Sequence, residues 1–144
     1  MCGNVYLCEN VIIVDNKPIS YIESMARYLY FNNRDEFYRI ALDQIVYFEA
    51  DKNYTFMQMA TGQKLAFTFS LQKMQKYLAD TLGDDARKFA RIGKSHIINL
   101  TYIYNIDLSK RMLRLMVPGS TTVYALKMSY DALRNLRSLF VREK

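Results

Sequence analysis

The sequence predicts a mainly β fold: an elongated antiparallel sheet or sandwich with two or three short helices. Short apolar or alternating segments recur along the chain, and polar or glycine-containing turns separate them. Tyr and Phe, which favour strands, occur 12 and 8 times. With 144 residues, 51% of them hydrophobic, the chain is long enough for one domain with a substantial core.

The first 29 residues are predicted to form a small appendage to that domain. Val11–Val14 is strand-like in composition, and Asn16–Pro18 interrupts it. Apolar residues then recur at helical spacing, at Ile19, Ile22, Met25, Ala26 and Leu29. We therefore assign residues 1–29 to a strand–helix appendage and residues 30–144 to the main domain.

The main domain is predicted to consist of short strands joined by polar turns. The predicted strands are Tyr28–Asn32, Phe37–Leu42, Ile45–Ala50, Tyr54–Ala60, Leu65–Phe69, Phe89–Ile92, Tyr102–Asp107, Arg111–Val117 and Thr121–Leu126. The Ile97-Ile98 segment lies among them without an assignment.

Two helices interrupt this series of strands, each after a serine that can cap it. Ser70 precedes a helix whose apolar face is formed by Leu71, Met74 and Leu78. Thr81–Lys88 is predicted to be a polar loop. Ser129 precedes a final helix whose predicted buried side carries Tyr130, Leu133, Leu136 and Phe140.

The net charge of +6 is distributed unevenly along the chain. Residues 1–50 hold 4 Lys/Arg and 7 Asp/Glu, residues 51–86 hold 4 and 4, and residues 87–144 hold 12 and 3, which is +9. This asymmetry fits a face that binds a polyanion, although basicity alone favours an ordinary solvated surface. A membrane surface is disfavoured because no basic helix has a strongly apolar face.

Several classes of protein are disfavoured by what the sequence lacks. No apolar run approaches the roughly 20 residues of a membrane span, and the N-terminus does not resemble a signal peptide. Cys2 and Cys8 match no metal spacing and form no disulfide framework. We therefore expect a cytoplasmic protein that has no membrane partner and holds no metal.

Catalytic chemistry is also poorly supplied. The one histidine, His96, lies beside Ile97 in an apolar stretch, where a structural role is expected. Asp84-Asp85 lies in a polar loop as an ordinary solvated pair, and no glycine-rich phosphate loop precedes a helix. We expect no enzyme activity, no cofactor and no small-molecule substrate.

Three loop positions carry the residue types that bind an anion. Gly93-Lys94-Ser95 interrupts an apolar stretch with a cation and a hydroxyl, Lys52-Asn53-Tyr54 leaves a strand, and Lys127 lies just before the cap of the last helix. Asn amides pair with adenine edges, Lys with guanine acceptors or phosphate, and Ser with phosphate. Taken singly, each can be an ordinary exposed residue.

Four segments occur in an order that is typical of one family. They are Ile45-Val-Tyr-Phe-Glu-Ala-Asp-Lys-Asn-Tyr-Thr55, Ser70-Leu71, Phe89-Ala-Arg-Ile-Gly-Lys-Ser-His-Ile-Ile-Asn-Leu100, and Leu126-Lys-Met-Ser-Tyr130. They resemble the patterns I-x-Y-I-E-A-x-x-N-Y, S-L-x-x-L, F-x-R-I-H-R-S-Y-I-V-N-L and V-S-R-R-Y of LytTR-type DNA-binding domains. The resemblance covers residues 28–140.

This resemblance implies an elongated β fold and a transcription regulator that inserts inter-strand loops into successive major grooves of double-stranded DNA. By resemblance, Asn53 or Tyr54, Lys94 and Lys127 would face bases. The phosphate-side supports would be Lys52, Arg91 and Ser95. A structural role is the alternative for Arg91, since it lies in a strand.

The sequence also departs from the family pattern. Gly93 replaces a common His, Lys94 and Lys127 replace Arg, and His96 replaces a common aromatic residue. Lys lacks the bidentate fork of Arg, so we expect looser base readout. Most relatives carry a receiver domain, for which residues 1–29 are too few. The alternative is therefore a β-rich protein-interaction or sensory module that does not bind DNA.

Overall fold

The computed structural model describes residues 27–141 and the short paired segments 6–7, 13–14 and 17–18. The strands are β1 Tyr6–Leu7, β2 Ile13–Val14, β3 Lys17–Pro18, β4 Tyr28–Asn32, β5 Phe37–Ala41, β6 Ile45–Asp51, β7 Tyr54–Met59, β8 Lys64–Phe67, β9 Phe89–Ile92, β10 His96–Asn99, β11 Ile103–Asp107, β12 Met112–Met116 and β13 Val123–Lys127. The helices are α1 Leu71–Leu82 and α2 Tyr130–Ser138. The mainly β, antiparallel fold predicted from the sequence is confirmed.

A five-stranded antiparallel sheet, in the order β8-β7-β6-β10-β9, forms the centre of the molecule. The segment without an assigned structure in the sequence, Ile97-Ile98, is part of β10, which pairs with β6 on one side and β9 on the other. Sequence periodicity missed β10 because Ile97 and Ile98 are both buried, one on each face, so its apolar residues do not alternate with polar ones.

Each face of the central sheet covers a separate hydrophobic core. Since successive side chains of a strand point to opposite faces, Ile97 belongs to one core and Ile98 to the other. The pairing of β6 with β7 shifts register between Ile45 and Tyr47, and Val46 and Tyr47 consequently share a core.

The first core lies between the central sheet, α1 and a three-stranded sheet in the order β1-β4-β5. The hydroxyl of Ser70 accepts a hydrogen bond from the amide of Lys73 and caps α1, as predicted. Leu82 ends the helix, and Gly83–Lys88 forms a 3₁₀ segment. The predicted polar loop over Thr81–Lys88 is therefore wrong: the helix continues because Leu82 is buried in this core.

The second core lies between the opposite face, the three-stranded sheet β11-β12-β13 and α2. Leu133 and Leu136 are buried in it, as predicted. Tyr130 and Phe140 are 45% and 54% exposed, so that part of the predicted buried side is wrong. The helix spans only nine residues, so its middle contacts the sheet, while Tyr130 begins it and Phe140 follows its end.

The described part of the N-terminal segment consists of three two-residue strands. Tyr6–Leu7 adds to the edge of β4, and Ile13–Val14 forms a small antiparallel pair with Lys17–Pro18. The rest of the predicted strand and the helical spacing at Ile19–Ala26 lie outside the described residues. The division into residues 1–29 and 30–144 stays a prediction. Within the part of the chain that the structure describes, no helix is long and apolar enough to cross a membrane.

Candidate nucleic-acid interface

Two predicted loop positions lie at the same end of the central sheet. Strand β6 ends at Asp51, and a two-residue turn of Lys52 and Asn53 leads into β7. Strand β10 runs antiparallel to β6 and starts beside Glu49. The amide of Ala50 donates a 2.8 Å hydrogen bond to the carbonyl of Ser95, so the β9–β10 loop adjoins the Lys52-Asn53 turn.

The sheet β11-β12-β13 places two more segments beside this loop. A cleft of about 230 Å³ separates residues 92–96 from residues 127–129 and Ala132. Lys127 pairs with Met112, and the amide of Met128 donates a 3.1 Å hydrogen bond to the carbonyl of Arg111. We use the term loop end for the four segments Lys52–Asn53, Gly93–Ser95, Leu108–Arg111 and Lys127–Ser129.

The Lys52-Asn53 turn is tight and strained. Asp51 pairs with Tyr54 across it, and Lys52 has a φ of 57°. This left-handed conformation costs a non-glycine residue on the order of 1–3 kcal/mol. Lys52 and Asn53 are exposed, and the Tyr54 ring is partly exposed above Phe56, with their centroids 6.4 Å apart.

Hydrogen bonds from Arg91, a residue of β9, hold the β9–β10 loop. Gly93 takes a φ of 64°, which suits glycine, and Lys94 and Ser95 are exposed. The guanidinium of Arg91 donates to the carbonyl of Lys94 at 2.8 Å and to Oε1 of Gln75 in α1 at 2.9 Å. Two of its nitrogens are therefore engaged within the protein, which favours the structural alternative for Arg91.

Lys127 is exposed and is the last residue of β13, one residue later than the predicted strand end. Ser129 follows and caps α2, where its hydroxyl accepts from the amide of Ala132 at 3.1 Å. The structure thus brings Lys94, Ser95 and Lys127 to one cleft, with Lys52, Asn53 and Tyr54 at the adjoining turn.

His96 lies on the wall of the cleft with a side chain that is 13% exposed. Its Nε2 lies 3.3 Å from Oε2 of Glu49. Burial lowers the pKa of His96, and Glu49 opposes that effect. Burial, then Glu49 and Tyr124, raise the pKa of Tyr47 to about 12. Both groups are therefore uncharged at neutral pH, and lysines supply the positive charge of the cleft.

The loop end also contains residues that the sequence analysis did not select. Lys110 and Arg111 are exposed in the β11–β12 turn, and Arg111 has a φ of 54°. The signal in the sequence was two adjacent cations at the point where the predicted strand Arg111–Val117 begins. Their position beside Lys127 depends on strand register, which sequence periodicity does not supply.

Acidic groups are interspersed among these cations, at Glu49, Asp51, Asp107 and Asp131. Some cations of the basic C-terminal part lie elsewhere: Phe89 pairs with Asn99 at the opposite end of the sheet, so Arg87 and Lys88, just before it, are remote from the cleft. The charge of +9 is thus not one basic face. Among the described residues, no group of three or more His, Cys, Asp or Glu could hold a metal ion.

The family model of the LytTr DNA-binding domain matches residues 35–140. The chain belongs to the LytTR family. None of the curated proteins matches this chain. Among solved structures, the LytTR fold seen here is similar to the LytTr DNA-binding domain of a protein described as a methyl-accepting/DNA response regulator from Bacillus cereus.

That similarity has a TM-score of 0.54 at 20% sequence identity, and it covers 78% of this chain and 95% of the other. At this identity it supports the fold, which confirms the LytTR-like architecture implied by the four sequence segments.

Proposed function

We propose that this LytTR-family protein is a transcription regulator that binds double-stranded DNA in a sequence-specific manner. The observation that carries the proposal is the cleft at the loop end, where Lys94 and Lys127 from two different sheets lie on facing segments. A rigid pair of sheets that offers short basic loops at one end suits readout of base edges.

Distinct roles follow for the exposed side chains of the loop end. Lys94, Lys127 and either Asn53 or Tyr54 would enter major grooves and contact base edges. Lys52 and Ser95 would contact phosphates. Arg91 would act through the backbone of Lys94, because its guanidinium donates a hydrogen bond to that carbonyl. No catalytic step is part of this proposal.

The energetics of binding would divide between phosphate and base contacts. Neutralised phosphates release counterions and provide most of the affinity, whereas base contacts provide discrimination. Because Lys94 and Lys127 are single cations without the fork of Arg, each would accept more than one arrangement of guanine acceptors. We therefore expect a moderately degenerate binding site.

The proposal is tested by selecting bound sequences from a random pool of duplex DNA, followed by gel shifts with the selected duplex at two salt concentrations. Enrichment of a defined sequence, and stronger binding to it than to a scrambled duplex, is expected. Failure to retain any duplex at low salt would contradict the proposal.

The alternative, a protein-interaction module without DNA binding, is favoured by one observation. Leu139, Phe140 and Val141 are all exposed after the end of α2. Such an apolar surface suits a protein partner. A protein that retains no duplex, and whose L139A/F140A variant self-associates less than wild type, would favour this alternative.

A homodimer is a further part of the proposal, since two copies would engage two half-sites. Against it, Tyr6–Leu7 pairs with β4 of its own chain, as expected if the segment covers its own core. Measuring the mass of the full chain and of a chain lacking residues 1–26 separates the two readings. A full chain that is monomeric at high concentration would exclude the dimer.

A further inference from the structure

The β11–β12 turn lies next to the proposed DNA-reading segments although it is distant from most of them in sequence. Met112 pairs with Lys127, and the backbones of Arg111 and Met128 are joined by a 3.1 Å hydrogen bond. Since Lys127 and Met128 line the cleft opposite Lys94, the turn extends the row of exposed cations beyond that cleft.

The turn is held in one conformation by its own polar groups. Oδ1 of Asp107 accepts hydrogen bonds from the amide of Lys110 at 3.0 Å and from the hydroxyl of Ser109 at 2.9 Å. The guanidinium of Arg114 lies 3.8 Å from Oδ2 of Asp107 and donates to Asn105. The carboxylate is thereby occupied within the turn, which reduces its repulsion of an approaching anion.

Arg111 has a backbone conformation that is unfavourable for an arginine. Its φ of 54° lies in the left-handed region, where Gly or Asn is the usual residue. Lys52, in the β6–β7 turn, is the other non-glycine residue with positive φ among those described, at 57°. Strain of this kind persists where the surroundings impose it, and it clusters at functional sites. Here both strained residues are exposed cations of the loop end.

The side chains of Lys110 and Arg111 take part in no ion pair among the described residues, and both are exposed. By contrast, Arg114, three residues further on, is engaged with Asp107 and Asn105. Two long, exposed cations without a salt bridge, on a turn that the protein holds fixed, have the properties of a phosphate contact.

We infer that Lys110 and Arg111 form a further DNA contact of this protein, one that binds the backbone phosphates flanking the bases reached from the cleft. The inference rests on the proposed DNA binding and adds a contact that the family segments in the sequence do not contain. It assigns to the β11–β12 turn affinity without sequence discrimination.

The test compares K110Q/R111N with wild type on the selected duplex and on a scrambled duplex, across a salt series. Asn tolerates the left-handed conformation, so the substitution at position 111 removes charge without adding strain. K64Q and R87N are the matched controls: Lys64 begins β8, paired with Gln58, and Arg87 precedes β9, both at the end remote from the cleft.

Loss of two phosphate contacts should make the negative slope of log K against log salt shallower by about 2, at roughly 0.9 per contact. The advantage of wild type over the double variant should then shrink roughly tenfold between 50 and 200 mM salt. Both duplexes should be affected equally, and the two control variants should keep the wild-type slope.

Other outcomes identify which proposal fails. If wild type binds DNA and K110Q/R111N has the same salt slope as wild type, this inference is wrong and the proposed function stands. Wild type that binds no duplex removes the proposed function itself. If the double variant unfolds, as judged by circular dichroism, K110Q alone decides: its slope should drop by about 0.9.

Discussion

The two ends of the central sheet differ in where their polar side chains direct their hydrogen bonds. At the end remote from the cleft, Asn99 donates to the carbonyl of Ile45, Tyr102 donates to the carbonyl of Asp43, and Arg27 donates to the carbonyls of Thr81 and Leu82. These groups bind backbone and stabilise the chain. At the loop end, the exposed cations Lys94 and Lys127 lie on two segments that line one cleft.

This difference shows how one fold separates stability from recognition. A buried polar group must be satisfied internally, because leaving it unpaired costs about 1–3 kcal/mol. An exposed cation meets no such requirement and stays available to a ligand. If the loop end recognises DNA, substitutions there should change binding and spare stability, whereas substitutions in the cores and at the remote end should do the reverse.

The largest expected effect is that of salt on binding at the loop end. With roughly four to six neutralised phosphates, log K should fall against log salt with a slope of about −4 to −5. A fourfold rise in salt would then weaken binding roughly 250- to 1,000-fold. Gel shifts or anisotropy titrations measure the slope. A flat response would contradict nucleic-acid binding at the loop end.

The next effect concerns the second core. Leu136 is 1% exposed, and L136A should lower the free energy of unfolding by about 2–5 kcal/mol because it removes packed methyl groups and leaves a cavity. L139A is the matched control, since Leu139 is 63% exposed in the same chain segment. Denaturant unfolding of both variants measures the difference, and equal stabilities would contradict the assigned helix register.

Substitution of the cleft lysines should alter recognition alone. K94A and K127A should each lose about 1–3 kcal/mol of discrimination at one base pair if that lysine contacts the base. Their thermal midpoints should stay close to that of wild type, because exposed loop residues seldom carry stability. Unfolding of both variants, or unchanged DNA binding in both, would refute the assignment.

The remote end should respond in the opposite way. Asn99 is buried, and its side chain also accepts from the amide of Thr101 at 3.1 Å. N99A should lower the free energy of unfolding by about 1–3 kcal/mol because it leaves the carbonyl of Ile45 without its donor. DNA affinity measured under conditions where the variant is folded should equal that of wild type. A loss of affinity in the folded variant would contradict a purely stabilising role for the remote end.

The smallest expected effect is the pH dependence that His96 contributes to stability. Burial holds the pKa of His96 below its usual value of 6.5, so the folded state favours the neutral ring. That contribution is fully present above pH 6.5 and is lost as the pH falls through 6.5 towards the lower folded-state pKa. Unfolding of wild type and H96Q at pH 7, 6 and 5 should show wild type losing more stability. The reverse trend would mean that the Glu49 contact outweighs burial.

The sequence by itself determined the elements whose cause is local. Strand composition, polar turns and the two capping serines predicted most strands and both helices, since each depends on neighbours within one element. The four ordered segments identified the LytTR family before the fold was known. Among the candidate residues, Lys94, Ser95 and Lys127 were selected as loop residues and do meet at one cleft.

Only the tertiary structure decided features whose cause is a partner distant in sequence. Ile97-Ile98 became a central strand because β6 and β9 pair with it from both sides. Arg91 is held by hydrogen bonds to Gln75 of α1 and to the carbonyl of Lys94, two partners outside its own strand. Lys110 and Arg111 joined the loop end through the register of β12 and β13. Pairing register and packing between elements set these positions, and neither is encoded in the local pattern of residues.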